Sequence, residues 1–259
     1  MPVILVHGVL SGPSSLKTLS RFIKKAHPGT EVTAIDLFND EQSTKPMWKQ
    51  IDHFAKVIRG IMEKSPEGVH LLCYSQGGLI CRGVLSKLQN HNVHNFIVLS
   101  SPLAGQYGGQ DNLMGKLLYL ACYRRFTQKH VSICNYWKDP HRRVKYLKYN
   151  NFLPLLNGEK AHRQMSVWKK NFLRIKKLVL IGGPDDDVIT PWQSRYPSLH
   201  LFLSHIMNES LSFLMKNTFG LKTLDTRGDL NLCTHSGVKH VEWHSNQEVF
   251  EKCIQKWLD

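Results

Sequence analysis

Short apolar runs alternate with longer amphipathic stretches through the first hundred residues of the chain. The runs are rich in Val, Ile and Leu, which is typical of strands buried on both faces of a parallel sheet. These predicted strands are Val3–Val6, Val32–Ile35, Val69–Tyr74 and Phe96–Leu99. The intervening stretches predict helices over Ser14–Lys25, Met47–Lys64 and Gln76–Gln89. This alternation predicts an α/β fold with a mostly parallel, doubly wound sheet and right-handed crossovers.

The alternation stops after residue 102 and resumes near residue 177. Residues 103–175 are rich in Tyr, Leu and Lys and show no clear strand pattern, so we expect a largely helical insertion there. A strand is predicted over 178–181, a last strand near Val238–Trp243, and a final helix that opens with the capping box of Ser245 and Glu248. We expect one domain over residues 1–259, with 103–175 as a helical cap.

The composition supports a folded domain. Of the 259 residues, 42% are hydrophobic, which is enough for a sizeable core. No apolar run approaches the roughly 18 residues that a membrane span needs. Met1 and Pro2 lead directly into the first strand, with no signal-peptide pattern. We therefore expect a processed chain whose targeting segment is not part of this sequence.

The chain is strongly basic, with a formal net charge of +14. Basic residues cluster at 142–145 and again over 169–177. No helix-turn-helix, finger or RNA-recognition pattern accompanies them, so no nucleic-acid partner is predicted. Solvent-exposed faces account for most such clusters, and attraction to an anionic membrane surface or to the phosphates of coenzyme A is the alternative.

Cysteine usage favours an oxidising compartment. The six cysteines form three sequence-near pairs without the spacing of a zinc site, so no metal is predicted. Three disulfides in a secretory-pathway protein fit this distribution better than six free thiols. The N-glycosylation sequon at Asn208 points the same way. The cysteines are Cys73, Cys81, Cys122, Cys134, Cys233 and Cys253.

Ser75 lies between a predicted strand and a predicted helix, in the sequence Cys-Tyr-Ser-Gln-Gly-Gly. This is the setting in which G-x-S-x-G forms the nucleophile elbow of an α/β-hydrolase, where a sharp turn exposes the serine hydroxyl. Gly77 matches the motif, whereas Cys73 replaces its first glycine. An ordinary turn with a serine N-cap is the alternative. The sequence therefore predicts an α/β-hydrolase fold with Ser75 as the nucleophile.

An acyl-transfer site also needs two backbone N–H donors where negative charge develops on the carbonyl oxygen. Gln76, directly after the nucleophile, is the first candidate. The second is Val9, in the loop His-Gly-Val that follows the first predicted strand.

The remaining members of a hydrolase triad are expected in the chain order Ser, Asp, His. Asp185, Asp186 and Asp187 follow the predicted strand at 178–181 and are all candidates for the acid. His240 and His244 precede the final helix and are candidates for the base. We favour His240 because His244 directly precedes the predicted cap residue of that helix.

Several longer motifs resemble those of the palmitoyl-protein thioesterases. They are Val-His-Gly at 6–8, Ser-Ile-Cys-Asn-Tyr-Trp at 132–137, Ile-Gly-Gly-Pro-Asp-Asp at 181–186, Val-Ile-Thr-Pro-Trp-Gln-Ser at 188–194, Phe-Gly-Leu-Lys-Thr-Leu at 219–224 and Trp-His-Ser-Asn at 243–246. The resemblance covers essentially the whole chain and departs mainly at 103–130 and 195–215, the stretches expected to shape the acyl groove.

The resemblance implies a serine thioesterase that hydrolyses long-chain acyl thioesters, S-palmitoyl groups and acyl-coenzyme A among them, in the lysosome or secretory pathway. It implies Asp186 as the acid, His240 as the base, a helical cap over the active site and no cofactor. It also implies the disulfides Cys73–Cys81, Cys122–Cys134 and Cys233–Cys253.

Two other functions use the same fold. A lipase or carboxylesterase would act on oxygen esters with the same three residues, and a non-catalytic hydrolase-fold protein would bind lipid. The second class usually lacks a triad member, and here all three are present. The sequence predicts a fatty acyl thioester as the partner and gives no oligomeric state.

Overall fold

Six strands form one parallel sheet in the order β2-β1-β3-β4-β5-β6. The computed structural model describes residues 1–107, 120–195 and 217–259. The strands are β1 (Val3–Val6), β2 (Val32–Ala34), β3 (Val69–Tyr74), β4 (Val93–Leu99), β5 (Lys177–Gly182) and β6 (Leu230–Thr234). The prediction of a parallel, doubly wound sheet is confirmed.

Helices cover both faces of this sheet. They are α1 (Lys17–Ala26), α2 (Met47–Glu63), α3 (Gln76–Lys87), α4 (Arg125–His130), α5 (Ser132–Tyr136), α6 (Arg143–Tyr149), α7 (Leu153–Leu156), α8 (Met165–Phe172), α9 (Leu221–Thr226) and α10 (Gln247–Val249). A π-helical turn over Phe250–Ile254 and a 3₁₀ turn over Gln255–Trp257 extend α10. Five of these helices, α4 to α8, lie in the described residues between β4 and β5.

Alternate strand residues point to the two sides of the sheet and belong to two separate cores. In β1, Ile4 packs with α2 and α3, whereas Leu5 packs with α1 and the C-terminal helical turns. All four residues of β1 and all six of β3 are buried. Central strands covered on both faces account for the nearly continuous apolar runs of the sequence.

The prediction of a last strand near Val238–Trp243 is wrong. The sixth strand is β6, which pairs with β5 from Leu178–Leu230 to Gly182–Thr234. Residues 240–242 form a 3₁₀ turn instead, and Val238 and Trp243 are buried beside the sheet. The apolar residues in this stretch therefore reflect burial of a loop.

The cap of the final helix also differs from the prediction. The Asn246 side chain accepts a hydrogen bond from the N–H of Val249 at 3.0 Å and is the N-cap of α10. The Ser245 hydroxyl donates to the carbonyl oxygen of Glu242. The helix therefore begins one residue later than Ser245 implied.

Three disulfides join the pairs that the family resemblance implies. Cys73–Cys81 connects β3 with α3, Cys122–Cys134 connects the residues before α4 with α5, and Cys233–Cys253 connects β6 with the last helical turns. None of the helices in the described parts of the chain combines the length and hydropathy that crossing a bilayer requires. The sequon at Asn208 lies outside the described residues.

Candidate active site

Ser75 occupies a strained turn between β3 and α3. Its backbone angles are φ 53° and ψ −127°, in a region that few residues other than glycine adopt. A Cβ on Gly77 would lie 2.6 Å from the carbonyl oxygens of Val6 and His7. The close approach of α3 to the residues at the end of β1 explains why the position after Gln76 must be glycine.

Cys73 replaces the first glycine of the elbow motif without disturbing the turn, because it is used in a disulfide. The bond to Cys81 spans eight residues and joins the end of β3 to the second turn of α3. Both side chains are fully buried. The bond therefore fixes the strand and the helix on either side of Ser75 relative to each other.

The structure brings together Ser75, His240 and Asp186. His240 Nε2 lies 2.9 Å from Ser75 Oγ, and His240 Nδ1 lies 2.9 Å from Asp186 Oδ2. The tautomer that satisfies both contacts carries its proton on Nδ1, which donates to the carboxylate, and leaves Nε2 to accept from the hydroxyl. This geometry suits proton transfer from Ser75 to His240.

Asp186 is held ionised by a dense set of donors. Its Oδ1 accepts hydrogen bonds from the backbone N–H groups of Val188 and Ile189, at 3.0 and 2.8 Å. Burial opposes ionisation, but the hydrogen bond and charge of His240 and the other donors outweigh it and hold the pKa of Asp186 far below its ordinary value. The carboxylate therefore remains charged at acid pH.

Two further residues contact Asp186 Oδ2, the oxygen that also faces His240, and sequence reasoning missed both. The Ser100 hydroxyl donates to Asp186 Oδ2 and lies 3.2 Å from His240 Nδ1. Trp243 Nε1 donates to Asp186 Oδ2 at 2.9 Å. The available signals were the position of Ser100 directly after a central strand and that of Trp243 in the Trp-His-Ser-Asn motif.

The neighbouring acids have other partners. Asp185 accepts a hydrogen bond from the N–H of Gly237 at 2.7 Å, and Asp187 accepts one from the backbone N–H of His240 at 3.0 Å. Both carboxylates therefore hold the loop that carries His240. Neither makes a hydrogen bond to the imidazole ring of His240 within the described chain.

The Tyr74 ring contacts both candidate histidines. Its hydroxyl donates to the carbonyl oxygen of His240 at 2.9 Å, and its ring lies 5.2 Å from that of His240. His244 packs edge-on against the same ring, 4.8 Å between centroids. Burial raises the pKa of Tyr74 far above its ordinary value, so the phenol remains a neutral donor.

The loop after β1 approaches Ser75 closely. A Cβ on Gly8 would lie 2.9 Å from Ser75 Cβ, and the His7 ring contacts the carbonyl oxygens of Gly8 and Leu37 at 2.8 and 3.0 Å. No described residue accepts a hydrogen bond from the N–H of Val9. The candidate donor is therefore available to a substrate.

Gln76 is fixed at the start of α3 by its side chain. Its Nε2 donates to the carbonyl oxygen of Ser43 at 2.8 Å, and its Oε1 accepts from the hydroxyl of Tyr136 at 3.2 Å. Its backbone N–H, like that of Val9, has no acceptor among the described residues. In residues 1–107, 120–195 and 217–259, no group of three His, Cys, Asp or Glu side chains could hold a metal ion.

Comparison with known proteins shows the family of the chain. The model of the palmitoyl protein thioesterase family matches residues 2–240. The chain belongs to this family. It is 48% identical over 265 residues to the lysosomal thioesterase PPT2 of Rattus norvegicus, covering 99% of this chain and 87% of that protein. It is 39% identical to the PPT2 homolog of Drosophila melanogaster, covering 100% and 92%.

Solved structures agree on the fold of this thioesterase. The mature Bacillus licheniformis lipase BlEst2 has a TM-score of 0.55 and 16% identity, covering 100% of this chain and 92% of its own. The Paleococcus ferrophilus monoacylglycerol lipase has a TM-score of 0.52 and 20% identity, covering 99% and 93%. The prediction of an α/β-hydrolase fold is confirmed, as are those of a thioester hydrolase and of a lysosomal or secretory-pathway location.

Proposed function

We propose that the thioesterase hydrolyses long-chain fatty acyl thioesters, including acyl-coenzyme A, through a triad of Ser75, His240 and Asp186. The observation that carries the proposal is the continuous line of hydrogen bonds from the Ser75 hydroxyl through the His240 ring to the Asp186 carboxylate. Ser75 stands at the carboxyl end of β3, on a strained turn, and is 5% exposed.

The geometry supports the following sequence of steps. His240 Nε2 takes the proton of Ser75 as the hydroxyl oxygen attacks the thioester carbonyl. The N–H groups of Val9 and Gln76 hydrogen-bond the oxygen that becomes negative. The carbon–sulfur bond then breaks, the sulfur leaves as a thiol with the proton that His240 carried, and the acyl group remains on Ser75. Water attacks this ester with His240 as the base, and the fatty acid leaves as Ser75 regains its proton.

Exposed apolar side chains beside three of these residues support an acyl substrate. Leu10 directly follows Val9, Val241 directly follows His240, and Val188 lies two residues after Asp186. Their exposed fractions are 64%, 68% and 48%. Apolar side chains concentrated around a polar site are typical of an apolar ligand.

Substitution of the triad tests the mechanism. We expect Ser75→Ala and His240→Ala each to lower kcat by about 10³-fold or more, because each removes a group that acts in every turnover. His244→Ala is the matched control and should keep kcat within about tenfold of the wild-type value, since this ring packs on Tyr74 and the Ser75 hydroxyl pairs with His240. An inactive His244→Ala beside an active His240→Ala would overturn the choice of base.

Paired substrates test the leaving group. We expect palmitoyl-coenzyme A to be hydrolysed with a higher kcat/KM than p-nitrophenyl palmitate, measured below the micelle threshold of each. Within a series of acyl-coenzyme A substrates, kcat/KM should rise with chain length, since each buried CH₂ contributes roughly 0.8 kcal/mol. A preference for the oxygen ester would favour a carboxylesterase, and a flat length profile would exclude an acyl groove.

A further inference from the structure

The part of the insertion over residues 120–158 carries almost only positive charge. Residues 120–158 contain eight Lys or Arg and a single acidic residue, Asp139. The Asp139 side chain is fully buried and bonds to the N–H of His141. This stretch therefore presents no negative charge to solvent, whereas the whole chain has 20 acidic residues against 34 basic ones.

Exposed apolar side chains lie among these charges. Phe126 on α4 is 70% exposed and Val144 on α6 is 79% exposed, and each has basic neighbours in its own helix. We define the insertion surface as the exposed residues of these two helices with Arg124, namely Arg124, Arg125, Phe126, Lys129, His130, Val144, Lys145, Lys148 and Tyr149. In the described parts of the chain, none of its five Lys and Arg side chains has a carboxylate partner within 4.0 Å.

Hydrogen bonds connect both α4 and α6 to α5. The carbonyl oxygen of Cys134 in α5 accepts hydrogen bonds from Gln128 of α4 and from Asn150, the residue after α6, at 2.7 and 3.2 Å. Gln128 Oε1 also accepts from the N–H of Asn151 at 3.2 Å. The disulfide Cys122–Cys134 closes the same unit. The insertion surface is thus carried by a cross-linked unit.

Hydrogen bonds from α5 connect this unit to the active site. Tyr136, at the end of α5, donates to Gln76, the residue that follows the nucleophile. Ser132, at the start of α5, donates to the carbonyl oxygen of Ser43 at 3.2 Å, and this oxygen also holds Gln76. The unit that carries the insertion surface therefore also bonds to the residue next to Ser75.

We propose that the insertion surface docks the thioesterase onto anionic lipid membranes. Basic side chains interspersed with exposed aromatic and aliphatic ones are the combination that binds anionic lipid headgroups and inserts into the interface. Val144 distinguishes the surface from a nucleic-acid site, where phosphates bind basic side chains and bases stack on aromatic ones, so that an exposed aliphatic side chain has no partner. The proposal concerns binding and does not depend on the proposed triad.

Co-sedimentation with vesicles tests the docking. The full chain is mixed with vesicles of phosphatidylcholine and phosphatidylglycerol in equal amounts, and separately with vesicles of phosphatidylcholine alone. We expect binding to the anionic vesicles at low salt, weaker binding as salt is added, and little binding to the neutral ones. Equal binding to both vesicle types would overturn the electrostatic part of the proposal.

A charge-matched pair of variants locates the surface. The triple change Arg124→Gln, Arg125→Gln, Lys129→Gln should weaken binding to anionic vesicles by about 100-fold, at roughly fivefold for each charge near the membrane. The control triple Arg21→Gln, Lys24→Gln, Lys25→Gln alters three exposed basic residues of α1 and lowers the net charge equally. It should change binding less than about threefold. Equal losses in both triples would mean that net charge alone drives binding, and would overturn the assignment.

The apolar contribution has its own variant. Phe126→Ser should weaken vesicle binding by about tenfold, because the variant lacks the aromatic ring that would transfer from water into the membrane interface. Binding unchanged in Phe126→Ser would contradict insertion. All variants are compared on a short neutral thioester, on which we expect wild-type rates, so that loss of docking is distinguished from loss of folding or catalysis. If the first triple instead raises KM for palmitoyl-coenzyme A and leaves vesicle binding intact, the surface binds the head group and the docking proposal falls.

Discussion

A buried histidine at the amino end of β3 should make the folded protein less stable at acid pH. His70 is 1% exposed, and neither ring nitrogen has a hydrogen-bond partner among the described residues. Burial is the main cause that lowers the pKa of His70 from 6.5 to about 4. The imidazole is therefore neutral in the folded protein under conditions in which it would be protonated in the unfolded chain.

The sign and size of the effect follow from this difference. Because the unfolded chain binds the proton more tightly, the free energy of unfolding falls as the pH drops from 6.5 to about 4, and His70 contributes no further loss below that. At roughly 1.4 kcal/mol per pH unit, the full loss is about 3 kcal/mol. About 2 kcal/mol of it should be lost between pH 7 and pH 4.5.

We expect His70→Leu to remove this loss, because leucine fills a similar volume and does not titrate. Thermal unfolding at pH 7 and pH 4.5 measures it. The drop in Tm between the two pH values should be about 4–8 °C smaller in His70→Leu than in the wild type, at roughly 2–4 °C per kcal/mol for a chain of this size. His53→Leu is the control, since His53 is exposed on α2. A drop in His70→Leu as large as that of the wild type would refute the argument.

Three further predictions test other parts of the structure. Ser100→Ala should lower kcat about tenfold with little change in KM, because it removes a charged hydrogen bond to Asp186 and leaves the substrate contacts intact; steady-state kinetics measures both. Gly77→Ala should abolish folding or activity, because the added methyl group would collide with backbone. Gly60→Ala in α2, where nothing lies within 4 Å of the added methyl group, should raise the free energy of unfolding by up to about 1 kcal/mol, measured with denaturant. Equal effects of the two substitutions would contradict the steric argument. Replacing Cys233 and its partner by serine should cost about 3 kcal/mol for a separation of 20 residues, and an unchanged denaturant midpoint would argue against the bond.

The central strands of the sheet could be predicted because each is a continuous apolar run in the sequence. The residues of β1 and β3 are buried on both faces, so the apolar runs end where the strands end. The edge strand β6 gives no such run, since its residues are only half-buried and Leu232 is 42% exposed. Burial of Val238 and Trp243 in the adjacent loop produced the stronger but misleading pattern.

The turn at Ser75 could also be predicted, because an elbow is a local arrangement of a strand, a serine and a glycine. The contacts of the acid could not be derived from local chemistry. Asp185, Asp186 and Asp187 are consecutive, and each accepts a hydrogen bond from a different donor. Only the position of β5 relative to the His240 loop decides which carboxylate meets the imidazole. The contact of Ser100 with that carboxylate likewise arises from the neighbouring strand β4.

The separation of the site residues along the chain has a consequence for biosynthesis. Ser75 and His240 are 165 residues apart, and the His240 loop follows the edge strand of the sheet, which is the last strand in sequence. A growing polypeptide therefore contains the proposed nucleophile long before it contains the proposed base. With His240 as the base, any product of incomplete synthesis that stops before residue 240 would lack hydrolytic power, however well its first four strands had folded. Such fragments would leave the acyl groups of the cell that makes them untouched.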